Sequence, residues 1–185
     1  VTTRKTAKRL PEKGHPSHEI LRQIRLFATD VDGVLTDAGM YYSESGDEWK
    51  KFNTRDGMGI KLLQKAGLIT AIVTQERTRL VARRAEKLAI PELHQGVMDK
   101  LSVIQEMATR HGISLRQVAY VGDDVNDIEA LKAVGLSAAP ADGLPQVLEV
   151  VEYVCRLKGG EGAVRELAEM ILQSRSETKN TAQRR

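Results

Sequence analysis

The chain has 185 residues and a formal charge of +3, with 41% hydrophobic, 29% charged and only 4% aromatic side chains. That length suits one ordinary domain able to bury a core unaided, and a single cysteine excludes an intrachain disulfide or a thiolate zinc site. The few aromatics argue against a base-stacking platform, and no apolar run approaches the length of a membrane span.

Residues 1–25 carry seven Lys/Arg against two Asp/Glu, and residues 173–185 carry four against one. They read as solvated basic tails, 1–23 and 173–185, around a folded body over 24–172. The basic residues lack aromatic interleaving, so no nucleic-acid partner is expected. No apolar signal core precedes the body, and a cytoplasmic protein without a membrane partner is expected. Residues 24–31 form an apolar strand ending in Asp30-Val31-Asp32-Gly33. Residues 40–43 and 48–52 read as short strands around the turn Glu44-Ser45-Gly46-Asp47, a hairpin flap over about 38–53. An amphipathic helix over 58–65 stops at Gly67. An apolar strand over 68–73 then leads to Thr74. A basic helix (78–88), a short strand (92–95) and a helix over 99–111 that carries Lys100 and stops at Gly112 come next. The strand over 118–121 runs into Gly122-Asp123-Asp124-Val125-Asn126-Asp127. A helix (127–134), strands (135–138 and 150–154) and a last helix (163–172) complete the body. Strands alternating with helices predict an α/β fold: a Rossmann-like, doubly wound parallel sheet with a small β-hairpin flap and no cap domain.

In such sheets ligands bind beyond the carboxyl ends of the strands. Asp30, Asp32, Thr74 and Asp123 all follow strands, and Lys100 starts the helix after another. Several carboxylates on one edge repel each other unless a cation lies between them, and hard oxygen ligands suit Mg²⁺ together with phosphate. One carboxylate can attack phosphorus. A second, two residues on, can protonate the leaving oxygen and then activate water. A lysine and a hydroxyl can bind the phosphoryl oxygens. Taken singly, each signal is bland: Asp-x-Asp pairs are common on loops, and Asp123-Asp124 would suit any helix N-terminus. Their joint occurrence in this order carries the catalytic reading.

These residues resemble the haloacid dehalogenase superfamily of phosphotransferases. Asp30-Val31-Asp32-Gly33-Val34-Leu35-Thr36 matches its first motif, and Thr74, Lys100 and Gly122-Asp123-Asp124-Val125-Asn126-Asp127 match the second, third and fourth. The resemblance implies Asp30 as nucleophile and Asp32 as acid/base. It implies Mg²⁺ held by the Asp30 side chain, the Asp32 carbonyl and Asp123, with Asp124 and Asp127 orienting the site. With no insertion after Thr74, the chain looks like the capless branch. The segments Gly39-Met40-Tyr41-Tyr42, Glu48-Trp49-Lys50-Lys51-Phe52-Asn53-Thr54-Arg55-Asp56-Gly57 and Gly159-Gly160-Glu161-Gly162-Ala163-Val164-Arg165-Glu166 are similar to phosphatases of 3-deoxy-2-keto sugar acids. That branch implies a homotetramer in which hairpins associate and a neighbour closes each site, with Asn53, Arg84 and Arg165 as candidate substrate contacts.

Thr74-Gln75-Glu76-Arg77 lacks the Thr-Gly-Arg usual in the octulosonate 8-phosphate enzymes, while Glu76 and Lys87 match positions in nonulosonate 9-phosphate phosphatases. The sequence therefore leans to a nine-carbon substrate, with the eight-carbon octulosonate as the alternative and Gln75 as a departure that crowds the phosphate loop. A signalling receiver lacks an acid/base at the position of Asp32. A decayed, non-catalytic scaffold would have lost some of Asp30, Asp32 and Asp123.

Overall fold

The computed structural model describes residues 14–182, so most of the expected N-terminal tail (1–13) lies outside the described residues. Eight strands and seven α-helices follow in order. They are α1 (His18–Gln23), β1 (Leu26–Thr29), β2 (Tyr41–Tyr42), β3 (Glu48–Trp49), α2 (Thr54–Lys65), β4 (Ile69–Thr74), α3 (Arg79–Leu88) and β5 (Glu92–Gln95). Then come α4 (Lys100–Arg110), β6 (Val118–Val121), α5 (Ile128–Ala133), β7 (Leu136–Ala139), α6 (Pro145–Val150), β8 (Tyr153–Val154) and α7 (Ala163–Ala182).

Six strands form one sheet in the order β5-β4-β1-β6-β7-β8, every pairing parallel. The chain winds outward from β1 through β4 to β5, then returns to β6 on the other side of β1. This makes the carboxyl end of β1 the switch point where such sheets bind ligands. Strand side chains alternate between two cores. Phe27, Ile72, Ala119 and Val121 face one layer with Ile60, Leu63, Val81, Leu88, Leu167 and Ile171. Leu26, Ala28, Val73, Val118 and Tyr120 face the other with Ile104, Met107, Leu131 and Val147. Burial of both faces explains why these strands read as unbroken apolar runs.

Local chemistry sets the helix starts. Asn53, Thr78 and Asp99 each accept a backbone N–H of the first turn with a side-chain oxygen, as capping residues do. Because Asn53 caps α2, that helix starts at Thr54, four residues before the expected Met58.

The paired stretch of the hairpin is shorter than expected, with two residues in each strand, and Phe52 instead bridges to Thr36. Residue 150 closes α6, a helix the sequence reading lacked, started by Pro145 at its first turn. Pro fits there because its missing N–H would be unpaired anyway. The tail boundaries at 23 and 173 fall inside packed helices. Leu21 of α1 is buried in the core that α7 also covers. Ser174 Oγ donates to the His18 carbonyl at 3.1 Å, and Arg175 Nη1 donates to the Ile24 carbonyl at 2.8 Å. His15 stacks on Tyr153 at 5.8 Å.

Candidate active site

Asp30 directly follows β1 and is buried. Its Oδ1 accepts the Val31 N–H at 2.7 Å, and its Oδ2 accepts Lys100 Nζ at 2.7 Å. Lys100, the first residue of α4, also donates to Asp127 Oδ1 at 2.6 Å. Tyr120 donates its hydroxyl to that same oxygen. The other Asp127 oxygen accepts the backbone N–H groups of Asp123 and Asp124 at 3.0 and 3.2 Å. Asp127 thus ties the turn after β6 to the lysine. A side chain at Gly122 would collide with Asp127, its Cβ falling 2.4 Å from the carboxyl carbon. Gly33 has φ +80°, and its Cβ would fall 2.0 Å from Asp123 Oδ2. Glycine at both places is what lets the carboxylates converge.

The electrostatics show what is incomplete. Oxygens of Asp30, Asp123 and Asp127 lie within 4.8 Å of one another. Burial, then the charges of Asp30, Asp127 and Asp124, push Asp123 up to about 8. Burial and the Asp127 charge raise Asp30 to about 6 against the pull of Lys100. Burial opposes the Lys100 charge, yet Asp30 and Asp127 outweigh it and raise the ammonium. Asp123 Oδ1 is buried without a hydrogen-bond partner. A buried, orphaned carboxylate oxygen beside two further carboxylates fits a hard divalent cation. Asp30 and Asp123 offer it oxygen atoms, and Asp127 stands behind them.

Around this cluster a cleft of about 450 Å³ is lined by Asp30, Asp32, Thr74, Gln75, Glu76, Asp124 and Asn126. A larger cavity of about 620 Å³ lies between α1 and α7, but Asp30, Asp32 and Thr74 line the smaller cleft, which makes it the candidate site. Thr74 is buried at the end of β4, and its Oγ1 accepts the Glu76 N–H at 3.3 Å. Asp124 accepts the Val125 N–H at 2.6 Å, capping its own turn. Gln75 accepts Asn126 Nδ2 at 3.0 Å, linking the second and fourth motifs across the mouth.

Sequence reasoning missed Lys50, just past β3. Its ammonium lies 2.6 Å from Asp32 Oδ1 and 2.7 Å from Glu76 Oε2. Burial opposes its charge, but the two carboxylates win and raise it. The only signal for it was a Lys50-Lys51 pair on the hairpin, which does not say what a folded-over strand will touch. Tyr120 was hidden inside an apolar run.

The expected substrate contacts divide. Glu76 lines the cleft. Asn53 caps α2 and donates Nδ2 to the Gly160 carbonyl at 3.0 Å. Arg84 donates to the Asn53 carbonyl at 2.8 Å and lies over the Phe52 ring at 5.4 Å, clamping the hairpin base. Arg165 pairs with Glu169 at 2.7 Å, and its backbone N–H is accepted by Asp56 Oδ1 at 2.9 Å. Lys87 is exposed in the last turn of α3, about 13 Å along the axis from the helix start beside the cleft. Within one chain, none of these four enters the cleft.

This sheet, with an aspartate pair at its switch point facing a buried lysine and an acidic turn, defines the haloacid dehalogenase-like hydrolases. Residues 86–167 match the model of that family. The chain is 45% identical over 149 residues to the 3-deoxy-D-manno-octulosonate 8-phosphate phosphatase KdsC of Yersinia pestis, covering 80% of each chain. It is 42% identical to KdsC of Escherichia coli K12, over 80% of this chain and 79% of that one. Among solved structures it is similar to the Moraxella catarrhalis 3-deoxy-D-manno-octulosonate 8-phosphate phosphatase in complex with magnesium, phosphate and KDO. That match has a TM-score of 0.84 and 36% identity, over 89% of this chain and 95% of that one. The chain belongs to the 3-deoxy-D-manno-octulosonate 8-phosphate phosphatase family, and it is a phosphoric monoester hydrolase.

Proposed function

We propose that the protein hydrolyses 3-deoxy-D-manno-octulosonate 8-phosphate with Mg²⁺ as cofactor. The observation that carries the eight-carbon reading over the nine-carbon one is the partner of Glu76. The nine-carbon lean rested on Glu76 and Lys87, beside the missing Thr-Gly-Arg at Thr74-Gln75-Glu76-Arg77 and the similarity of 139–142 and 153–155 to sialate-linked phosphatase-like domains. Glu76 is bound to Lys50 instead, and Lys87 lies at the far end of α3. The names of the relatives point the same way.

Asp30 attacks phosphorus, and the bond from phosphorus to the sugar oxygen breaks as an aspartyl phosphate forms. Asp32 donates its proton to the leaving oxygen, then accepts one from the water that attacks the aspartyl phosphate. Phosphate leaves and Asp30 is restored. Lys100 and Thr74 bind the phosphoryl oxygens. Asp30, Asp123 and the Asp32 carbonyl would hold Mg²⁺, which would supply charge neutralisation for the carboxylates and the phosphate.

The mouth is open, and an open site admits water. We propose that neighbouring copies close it. Tyr41, Tyr42 and Trp49 are 43, 66 and 57% exposed on the hairpin, beside the exposed Met40. Such an apolar face fits association of hairpins into a tetramer, in which Lys87 or Arg165 of a neighbour would reach the mouth. Sedimentation of the protein tests the assembly.

The substrate is tested by phosphate release with Mg²⁺ from the octulosonate 8-phosphate and a nonulosonate 9-phosphate in parallel. The expected result is a clear preference in kcat/KM for the eight-carbon compound. Preference for the nine-carbon compound would restore the Glu76/Lys87 reading. No release from either, with the tetramer intact, would favour a scaffold.

A further inference from the structure

Asp32 has little of its own to hold it. Its side chain is 29% exposed, and among the described residues its one side-chain partner apart from Lys50 is Thr36 Oγ1 at 3.4 Å, the limit of a hydrogen bond. An acid/base must keep its carboxyl within reach of the leaving oxygen. The hairpin provides the constraint. The Lys50 side chain is wholly covered, and it makes a charge-assisted bond of 2.6 Å to Asp32 Oδ1 of the short, strong kind. A second such bond, 2.7 Å, runs to Glu76 Oε2 on the loop after β4. Glu48 Oε1, buried without a hydrogen-bond partner, lies 3.9 Å from the same ammonium. One lysine thus spans three segments of the mouth: the hairpin, the loop after β1 and the loop after β4. An exposed surface pair would contribute little, but here the lysine is covered.

We infer that Lys50 is the positioning residue of the acid/base: it holds the Asp32 carboxyl in place, and Glu76 anchors it. Glu76 then acts on the reaction through Lys50 and makes no choice between substrates. This rests on Asp32 as the acid/base given above.

The test exploits the leaving group. A sugar alkoxide needs a proton as it departs; p-nitrophenolate does not. Wild type, Lys50→Met, Lys50→Arg and Glu76→Gln are compared by kcat/KM on the octulosonate 8-phosphate and on p-nitrophenyl phosphate, with Mg²⁺. Lys50→Met is expected to lose about 100-fold on the sugar phosphate but under about fivefold on the aryl phosphate, the span a displaced general acid would give. Lys50→Arg should recover part of the sugar-phosphate rate, and Glu76→Gln should show a smaller loss with the same selectivity. Equal losses on both substrates, or none on either, would overturn the assignment. If Lys50→Met fails to fold by thermal melting, Glu76→Gln decides by the same criterion. The comparison runs on whichever sugar-acid phosphate the wild type hydrolyses. A wrong substrate therefore shows in the wild type, and a wrong role for Lys50 shows only in the variants.

Discussion

The Lys100 ammonium lies 2.7 Å from Asp30 Oδ2, with both residues buried. A buried pair of this kind is costly to break from one side, because the charge left behind has no partner. Lys100→Met leaves Asp30 and Asp127 facing each other without a cation. The metal-free variant should lose about 3–5 kcal/mol of stability in urea unfolding. In the same variant kcat/KM should fall about 10²–10³-fold, as when an electrostatic donor is removed from a reacting centre.

Asp30→Asn keeps the shape of the side chain and removes its nucleophilic charge. Turnover should fall at least about 10⁴-fold, while the melting temperature holds or rises. Retained turnover in a phosphate-release assay would remove Asp30 from the nucleophile's place.

Metal dependence should carry a pH signature. Asp123 is raised from 3.8 to about 8 in the folded protein. The folded state therefore binds this proton more tightly than the unfolded chain does. In the metal-free protein the resulting stability is complete below about pH 4 and is lost as pH rises through about 8. Mg²⁺ replaces the proton, so added Mg²⁺ should raise the melting temperature more at pH 8 than at pH 6. At a hundredfold excess over its Kd the gain is about 2.7 kcal/mol. Equal shifts at both pH values would show that Asp123 is no ligand.

Arg84 reads as a clamp on the hairpin base. Arg84→Met should lower the melting temperature by several degrees, about 2–4 °C per kcal/mol lost in a chain of this size. KM for the sugar phosphate should change little. A large rise in KM at an unchanged melting temperature would instead mark Arg84 as a substrate contact, reached from a neighbouring subunit.

A Cβ on Gly159 would fall 1.9 Å from the Gly33 carbonyl oxygen. Gly159→Ala must push the loop after β1 aside. It should cost roughly 1–3 kcal/mol, as overpacking does, and lower kcat as well, read from melting and steady-state rates together.

Much of this was legible because the strands are buried on both faces, so Leu26–Thr29 and Val118–Val121 stand out as apolar runs with polar residues at their ends. The order of Asp30, Thr74, Lys100 and Asp123 then marked the candidate catalytic edge. What stayed hidden depended on long-range contacts. α1 is a six-residue helix among basic residues, and its packing on α7 and on residues 115–117 makes it part of the body. Arg84 and Asn53 looked available for substrate because nothing local shows that each is engaged with a backbone carbonyl. Lys50 reaches Glu76, 26 positions later, through a fold of the hairpin that no spacing rule encodes.

The glycines at 159 and 160 press on the backbone of Gly33 and Thr36, and the Gly160 N–H is accepted by the Val34 carbonyl at 3.0 Å. The loop after Asp30 is therefore made early on the ribosome, yet this brace on it comes only once residues 159 and 160 are made. Domains fold as units during synthesis, and the brace is a late part of this one to be made. A nascent chain stalled before residue 159 would carry every candidate catalytic residue and still lack the brace that holds them.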